Sequence, residues 1–134
     1  ARTSAYLMLL LRSFHQEKGN LAVQHKFKTC CHLLVSMFIV YSPCPSEDEA
    51  KKIAKSLLQE KLVVCANIIK SSSLYEWKGE LKDENEWVIL LKTVKPHLAS
   101  KKVESLHPYE CPCVLTIPVR SNSDFSEWAA SAKK

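Results

Sequence analysis

The sequence predicts an α+β domain of ferredoxin-like βαββαβ order with a short C-terminal helix. Three observations carry this. An apolar run at residues 37–41 is stopped by Pro43 and Pro45. Two stretches, near 46–60 and from Pro96 to Leu106, repeat apolar residues at helical spacing. Between and after them lie segments rich in β-branched and aromatic residues, at 62–79, 86–94 and 113–119.

Met37-Phe38-Ile39-Val40-Tyr41 reads as a buried strand, with Ser42-Pro43-Cys44-Pro45 as its end. Ser46 opens a helix, Glu49 completes a capping box, and Glu47 and Asp48 suit the positive end of its dipole. Ala50, Ile53, Ala54, Leu57 and Leu58 form its apolar stripe, while Lys51, Lys52, Lys55 and Glu60 face water. Leu62–Ile69 is the next strand, continuing through Tyr75 and Trp77 towards Gly79. Glu86–Val94 is its antiparallel partner, with Lys82-Asp83-Glu84-Asn85 as a polar connection, which makes a long central hairpin. Pro96 suits the first turn of a second helix whose Leu98, Ala99, Val103 and Leu106 face inward. His107-Pro108 ends that helix. Cys113–Val119 is the fourth strand, and Ser123 caps a last helix with Phe125, Trp128, Ala129 and Ala132 on one side.

Two crossover helices can cover only one face of a four-stranded sheet. The other face should be polar, yet Trp87-Val88-Ile89-Leu90-Leu91 and Val63-Val64-Cys65-Ala66 are apolar at both sets of alternating positions. A second apolar face needs a cover, and the last helix is too short to supply it. Self-association follows from the pattern, without a count of subunits.

The chain has 134 residues, 46% of them hydrophobic, enough for one domain with a core that needs no crosslinks. Its two glycines exclude a Gly-rich phosphate loop, and no apolar stretch is long enough to span a membrane. The net charge of +5 sits mostly in residues 1–35, where Arg2, Arg12, Lys18, Lys26 and Lys28 oppose Glu17 alone. Residues 36–134 are nearly neutral and present no nucleic-acid face. Residues 1–35 therefore read as an N-terminal extension, disordered or targeting-like, ahead of one domain at 36–134. Six cysteines could suggest a secreted disulfide framework, but Cys65 lies inside a strand and Cys111-Pro112-Cys113 is too local to staple anything. Reduced thiols and a cytoplasmic location are the expectation, with an organelle as the alternative if residues 1–35 act as a transit segment.

Polar and aromatic residues interrupt the apolar strands at Ser73-Leu74-Tyr75-Glu76-Trp77-Lys78-Gly79, at Lys92-Thr93 and at His107-Pro108-Tyr109-Glu110-Cys111-Pro112. Read with the helix at 46–60 and Cys65-Ala66-Asn67-Ile68, these motifs resemble the CutA family of divalent-cation tolerance proteins over roughly Met37 to Ala132. The resemblance implies a homotrimer with three sheets facing one another and a role in divalent metal tolerance, with copper the first metal to test. For an animal source it also implies an acetylcholinesterase-related partner. The chain departs from the family at Ser42, where a cysteine is common and the nearest thiol is Cys44. It departs again at Cys113, where the family run ends in glutamate, and at Ser71 and Ser72, which lack the usual glycine.

Each marked residue has two readings. Tyr75 and Trp77 either pack at a subunit contact, with Gly79 supplying a bend, or wall an intersubunit cleft for a small ligand. Lys92 either sends its ammonium to the sheet end or serves as the cation of an anion cleft, with Tyr109 and Glu110 as partners. His107 either terminates a helix or joins soft donors from Cys44, Cys111 and Cys113, with His107, Cys44 and Cys113 the chosen set, as thiolate–imidazole ligands suited to copper(I) or zinc. No closed zinc motif is present: there is no Cys-x2-Cys and no paired histidine. Nor is there a Ser/His/Asp order, paired-carboxylate cleft or HExxH helix, so catalysis is not expected and no cofactor is required. The expected function is a non-enzymatic trimer of divalent metal homeostasis. The alternatives are a PII-like small-molecule or anion sensor acting at intersubunit clefts, or a trimeric scaffold.

Overall fold

A computed structural model describes residues 37–132. The extension expected over residues 1–35 lies outside the described residues. The elements are β1 (Met37–Cys44), α1 (Glu47–Gln59), β2 (Cys65–Trp77), β3 (Glu80–Thr93), α2 (Pro96–Leu106), β4 (Leu115–Val119) and α3 (Ser123–Ser131). The four strands form one antiparallel sheet in the order β2-β3-β1-β4, and the α+β ferredoxin-like arrangement holds.

Helix α1 forms where its cap says it should. Ser46 is extended, and its hydroxyl accepts from the Glu49 amide at 3.2 Å. Ala50, Ile53, Ala54 and Leu57 are buried against the sheet, whereas Leu58, at the margin of the stripe, stays outside the core. Burying each large aliphatic side chain contributes about 1.5–3 kcal/mol. Helix α2 starts with Pro96 and buries Ala99 and Val103. Leu98, expected to face inward, is exposed, because the α2 stripe is narrow and Leu98 falls beside it. In α3 the cap position is Asn122 and not Ser123, Ala129 is the buried residue, and Trp128 is largely exposed.

Three strand boundaries differ from expectation. β1 runs through Pro43 to Cys44, because β4 pairs with β1 only as far as Tyr41 while β3 continues to Cys44. Beyond Tyr41 one flank of β1 is unpaired, and a proline there breaks no ladder. β2 begins at Cys65, with Leu62–Val64 still in the connection, and β4 begins at Leu115, not Cys113. Lys82–Asn85 is strand, not connection: Ser72 pairs with Asn85 and Tyr75 with Lys82. The turn is the two residues Lys78 and Gly79, both with positive φ (52° and 80°), as a tight twisted hairpin requires.

Thr93, fully buried, brackets the base of this hairpin. Its hydroxyl donates to the Leu62 carbonyl at 2.6 Å and accepts from the Lys95 amide at 2.8 Å.

The register assigns the two sheet faces. Val40, Ser42 and Cys44 pair with Leu91, Ile89 and Trp87, and α1 and α2 cover this side. Ile39, Tyr41 and Pro43 share the opposite face with Lys92, Leu90 and Val88. Ile69, Leu115 and Ile117 lie on that same face at 50%, 50% and 43% exposure, so a large apolar area is uncovered among the described residues.

Candidate functional site: a cleft beneath the hairpin

The same alternation carries the open face out along the hairpin. Ser73, Tyr75 and Trp77 of β2 stand beside Glu84 and Glu86 of β3. After α2 the chain bends through residues 107–114 before entering β4, and two hydrogen bonds fix that segment to β1. His107 Nε2 lies 2.9 Å from the Pro43 carbonyl, and the Ser42 hydroxyl donates to the Cys113 carbonyl at 2.7 Å. Because the Tyr109 amide donates to His107 Nδ1 at 3.2 Å, Nδ1 is the acceptor and Nε2–H the donor. The ring centroids of His107 and Tyr109 lie 5.0 Å apart, with the planes tilted by 51°.

Thus anchored, Tyr109 reaches the hairpin. Its hydroxyl donates to Glu86 Oε1 at 2.9 Å. Burial holds the Tyr109 phenol above its ordinary range, and the Glu86 hydrogen bond and charge push it further. The Tyr75 hydroxyl donates to Glu84 Oε2 at 2.8 Å, and that bond raises the Tyr75 phenol too. A cavity of about 820 Å³ opens between hairpin and segment, walled by Tyr75, Trp77, Tyr109, Glu86, Glu110 and Cys113 among others.

Four of the five cleft residues expected from sequence, Tyr75, Trp77, Tyr109 and Glu110, line this one cavity. Lys92 does not. It pairs with Cys65 and Ile39, six residues along β3 from Glu86, and its ammonium donates to the Asn67 side chain. Among the described residues, no lysine, arginine or histidine lines the cleft. The anion reading of the cleft therefore has no cation behind it.

The metal candidates are split. Cys44 Sγ lies 3.9 Å from His107 Nε2, while Cys113 contributes its carbonyl to Ser42 and turns up in the cleft wall. Cys44, Cys65, Cys111 and Cys113 are all free thiols. Both His107 nitrogens are engaged, and among the described residues no group of three His, Cys, Asp or Glu donors could hold a metal ion. A closed resident metal centre does not fit the described residues of one chain. Nor is Cys44 an activated nucleophile: burial first, then the charges of Glu86 and Glu49, push its thiol up to about 11.

Residues 38–132 match the family described as CutA1 divalent ion tolerance protein. The chain belongs to the CutA1 family. A CutA homolog of Xenopus laevis is 36% identical over 69% of this chain and 64% of its own length. The chain thus spans under two thirds of that relative. The chloroplastic CutA protein of Arabidopsis thaliana is 31% identical over 93% of this chain and 70% of its own length. The solved structure of the periplasmic divalent cation tolerance protein CutA from Archaeoglobus fulgidus superposes with a TM-score of 0.69 at 32% identity. It covers 73% of this chain and 99% of that one.

Within this CutA1 domain, sequence reasoning missed the role of Glu86, and it marked Ser42 and Thr93 without their hydrogen-bonding roles. Glu86 is only 6% exposed, and Ser42 and Thr93 are wholly buried. A signal for Glu86 existed: it shares strand parity with Val88 and Leu90, so it had to face the same side as the apolar residues.

Proposed function

We propose that this CutA1-family chain is a non-enzymatic homotrimer serving divalent-cation tolerance, joined through the open faces of its sheets. One observation carries the reading. The face holding Ile69, Leu115, Ile117 and Leu90 is apolar, and no described element covers it. Three facing sheets would bury it while leaving the hairpin clefts at the margins of the assembly, where they serve for recognition. The experiment is native mass measurement. A trimer of about 46 kDa is expected from three chains of 15.2 kDa. Ile117→Asp should reduce it to one chain. A monodisperse single chain in the parent protein at micromolar concentration overturns the reading.

Copper is the ion to test, as external cargo and not as a resident cofactor. Cys44 Sγ and His107 Nε2, 3.9 Å apart, are the two soft donors; copper would take Nε2 from the Pro43 carbonyl, and further ligands must come from solvent or from a neighbouring copy. Titration of reduced protein with copper(I) and copper(II), repeated after Cys44→Ala with His107→Ala, tests it. Unchanged binding in the double variant discards that site.

The likeness to a protein named chloroplastic, extending beyond residues 38–132, favours the organellar reading of residues 1–35 over the cytoplasmic one. Residues 1–35 fused to a fluorescent protein should then direct it to an organelle, and a diffuse cytoplasmic signal counts against it.

A further inference from the structure

We infer that the cleft beneath the hairpin binds a small organic cation, a protonated or quaternary amine, and not an anion. The inference deepens the recognition role given to the cleft above and rests on it.

The chemistry is set by what lines the cavity. Glu86 is 6% exposed and forms no ion pair with a lysine, arginine or histidine among the described residues. Its one side-chain partner there is the Tyr109 hydroxyl, a neutral donor. A carboxylate taken out of water costs several kcal/mol unless an opposite charge approaches it. Glu110 adds a second formal negative charge to the wall, and among the described residues no basic side chain lines the cavity to offset either.

The remaining walls are aromatic. Tyr75, Trp77 and Tyr109 come from two separate parts of the chain and line the same cavity as Glu86 and Glu110; Tyr109 bonds Glu86, and Tyr75 bonds Glu84 beside it on the strand. Ring faces are negative at their centres and attract a weakly hydrated cation far more than a neutral or anionic group. Trp77 already does this with the chain's own lysine: Lys78 Nζ lies 5.7 Å from its ring centroid. Lys78 is not among the residues that line the cavity, whereas Trp77 is. The volume of about 820 Å³ is that of a small-molecule pocket. A bare metal ion would leave most of it unfilled and would gain nothing from three rings.

The test uses the assembled full chain and three probes of one shape: phenyltrimethylammonium, its uncharged analogue tert-butylbenzene, and benzenesulfonate. Binding is followed by calorimetry and by tryptophan fluorescence, with native mass recorded on each sample. Saturable binding of the cation is expected, at least about tenfold tighter than the neutral analogue, with none for the sulfonate. Glu86→Gln and Trp77→Leu should each weaken the cation about tenfold or more at unchanged mass. Should Glu86→Gln fail to fold, Trp77→Leu and Glu110→Gln, at exposed positions, carry the same test. Equal binding of cation and neutral analogue, preference for the sulfonate, or no saturation overturns the inference. Loss of the trimer with cation binding retained would instead overturn the assembly reading alone.

Discussion

His107 and Pro43 are 64 residues apart in sequence and joined by a hydrogen bond of 2.9 Å, Nε2 to carbonyl. With Tyr109 N–H on its other nitrogen, the ring acts as a spacer that sets the height of residues 107–113 above β1. Tyr109 meets Glu86 because of that spacing.

Replacing His107 with alanine removes both bonds and leaves the half-buried Pro43 carbonyl unpaired. A loss of about 1–3 kcal/mol is expected in denaturant unfolding. His107→Gln, able to donate and accept, should recover part of it. Equal stability of the alanine variant and the parent would show that the ring carries no such role.

Cys44 makes stability sensitive to alkali. Its thiol ionises near 9.0 when unfolded but at about 11 in the fold. The unfolded chain therefore sheds its proton first, so stability falls as pH rises from about 9 through about 11, by on the order of 2 kcal/mol. Cys44→Ala should flatten that slope. In the folded protein Cys111 and Cys113, both exposed, should alkylate well before the buried Cys44.

The hairpin turn separates strain from contact. A methyl group at Gly79 would meet nothing within 4 Å, so Gly79→Ala tests its φ of 80° alone. A cost of roughly 1 kcal/mol is expected. Lys78→Gly, at φ 52°, should be neutral or slightly stabilising in the same thermal melts.

Thr93→Val keeps the shape of a buried side chain and deletes both bracket bonds. The Leu62 carbonyl and Lys95 amide lose their partner, and about 1–3 kcal/mol should go in chemical unfolding. Thr93→Ser should retain most of the stability.

The fold was legible where local chemistry and burial agree. Ser46, Glu49 and the Ala50–Leu57 stripe say the same thing about α1, and the structure follows them. Lys82–Asn85 misled because a strand wetted on both sides shows no alternation, so polarity there signals exposure and not a turn. The aromatic half of the cleft could be read from Tyr75, Trp77 and Tyr109, which are costly residues to leave outside a core. Glu86 and Lys92 could not be sorted by composition. Six residues of strand, about 20 Å, separate them, and only register says which one the 107–113 segment reaches.

The two margins of the sheet are unlike. β4 is five residues long and carries Pro118, whereas β2 offers thirteen residues and no proline. Lateral strand addition can begin only at β2 and finds no receptive backbone at the far rim. Strand addition of a second copy is thus left with β2 against β2, and ribbon growth stops after that one addition.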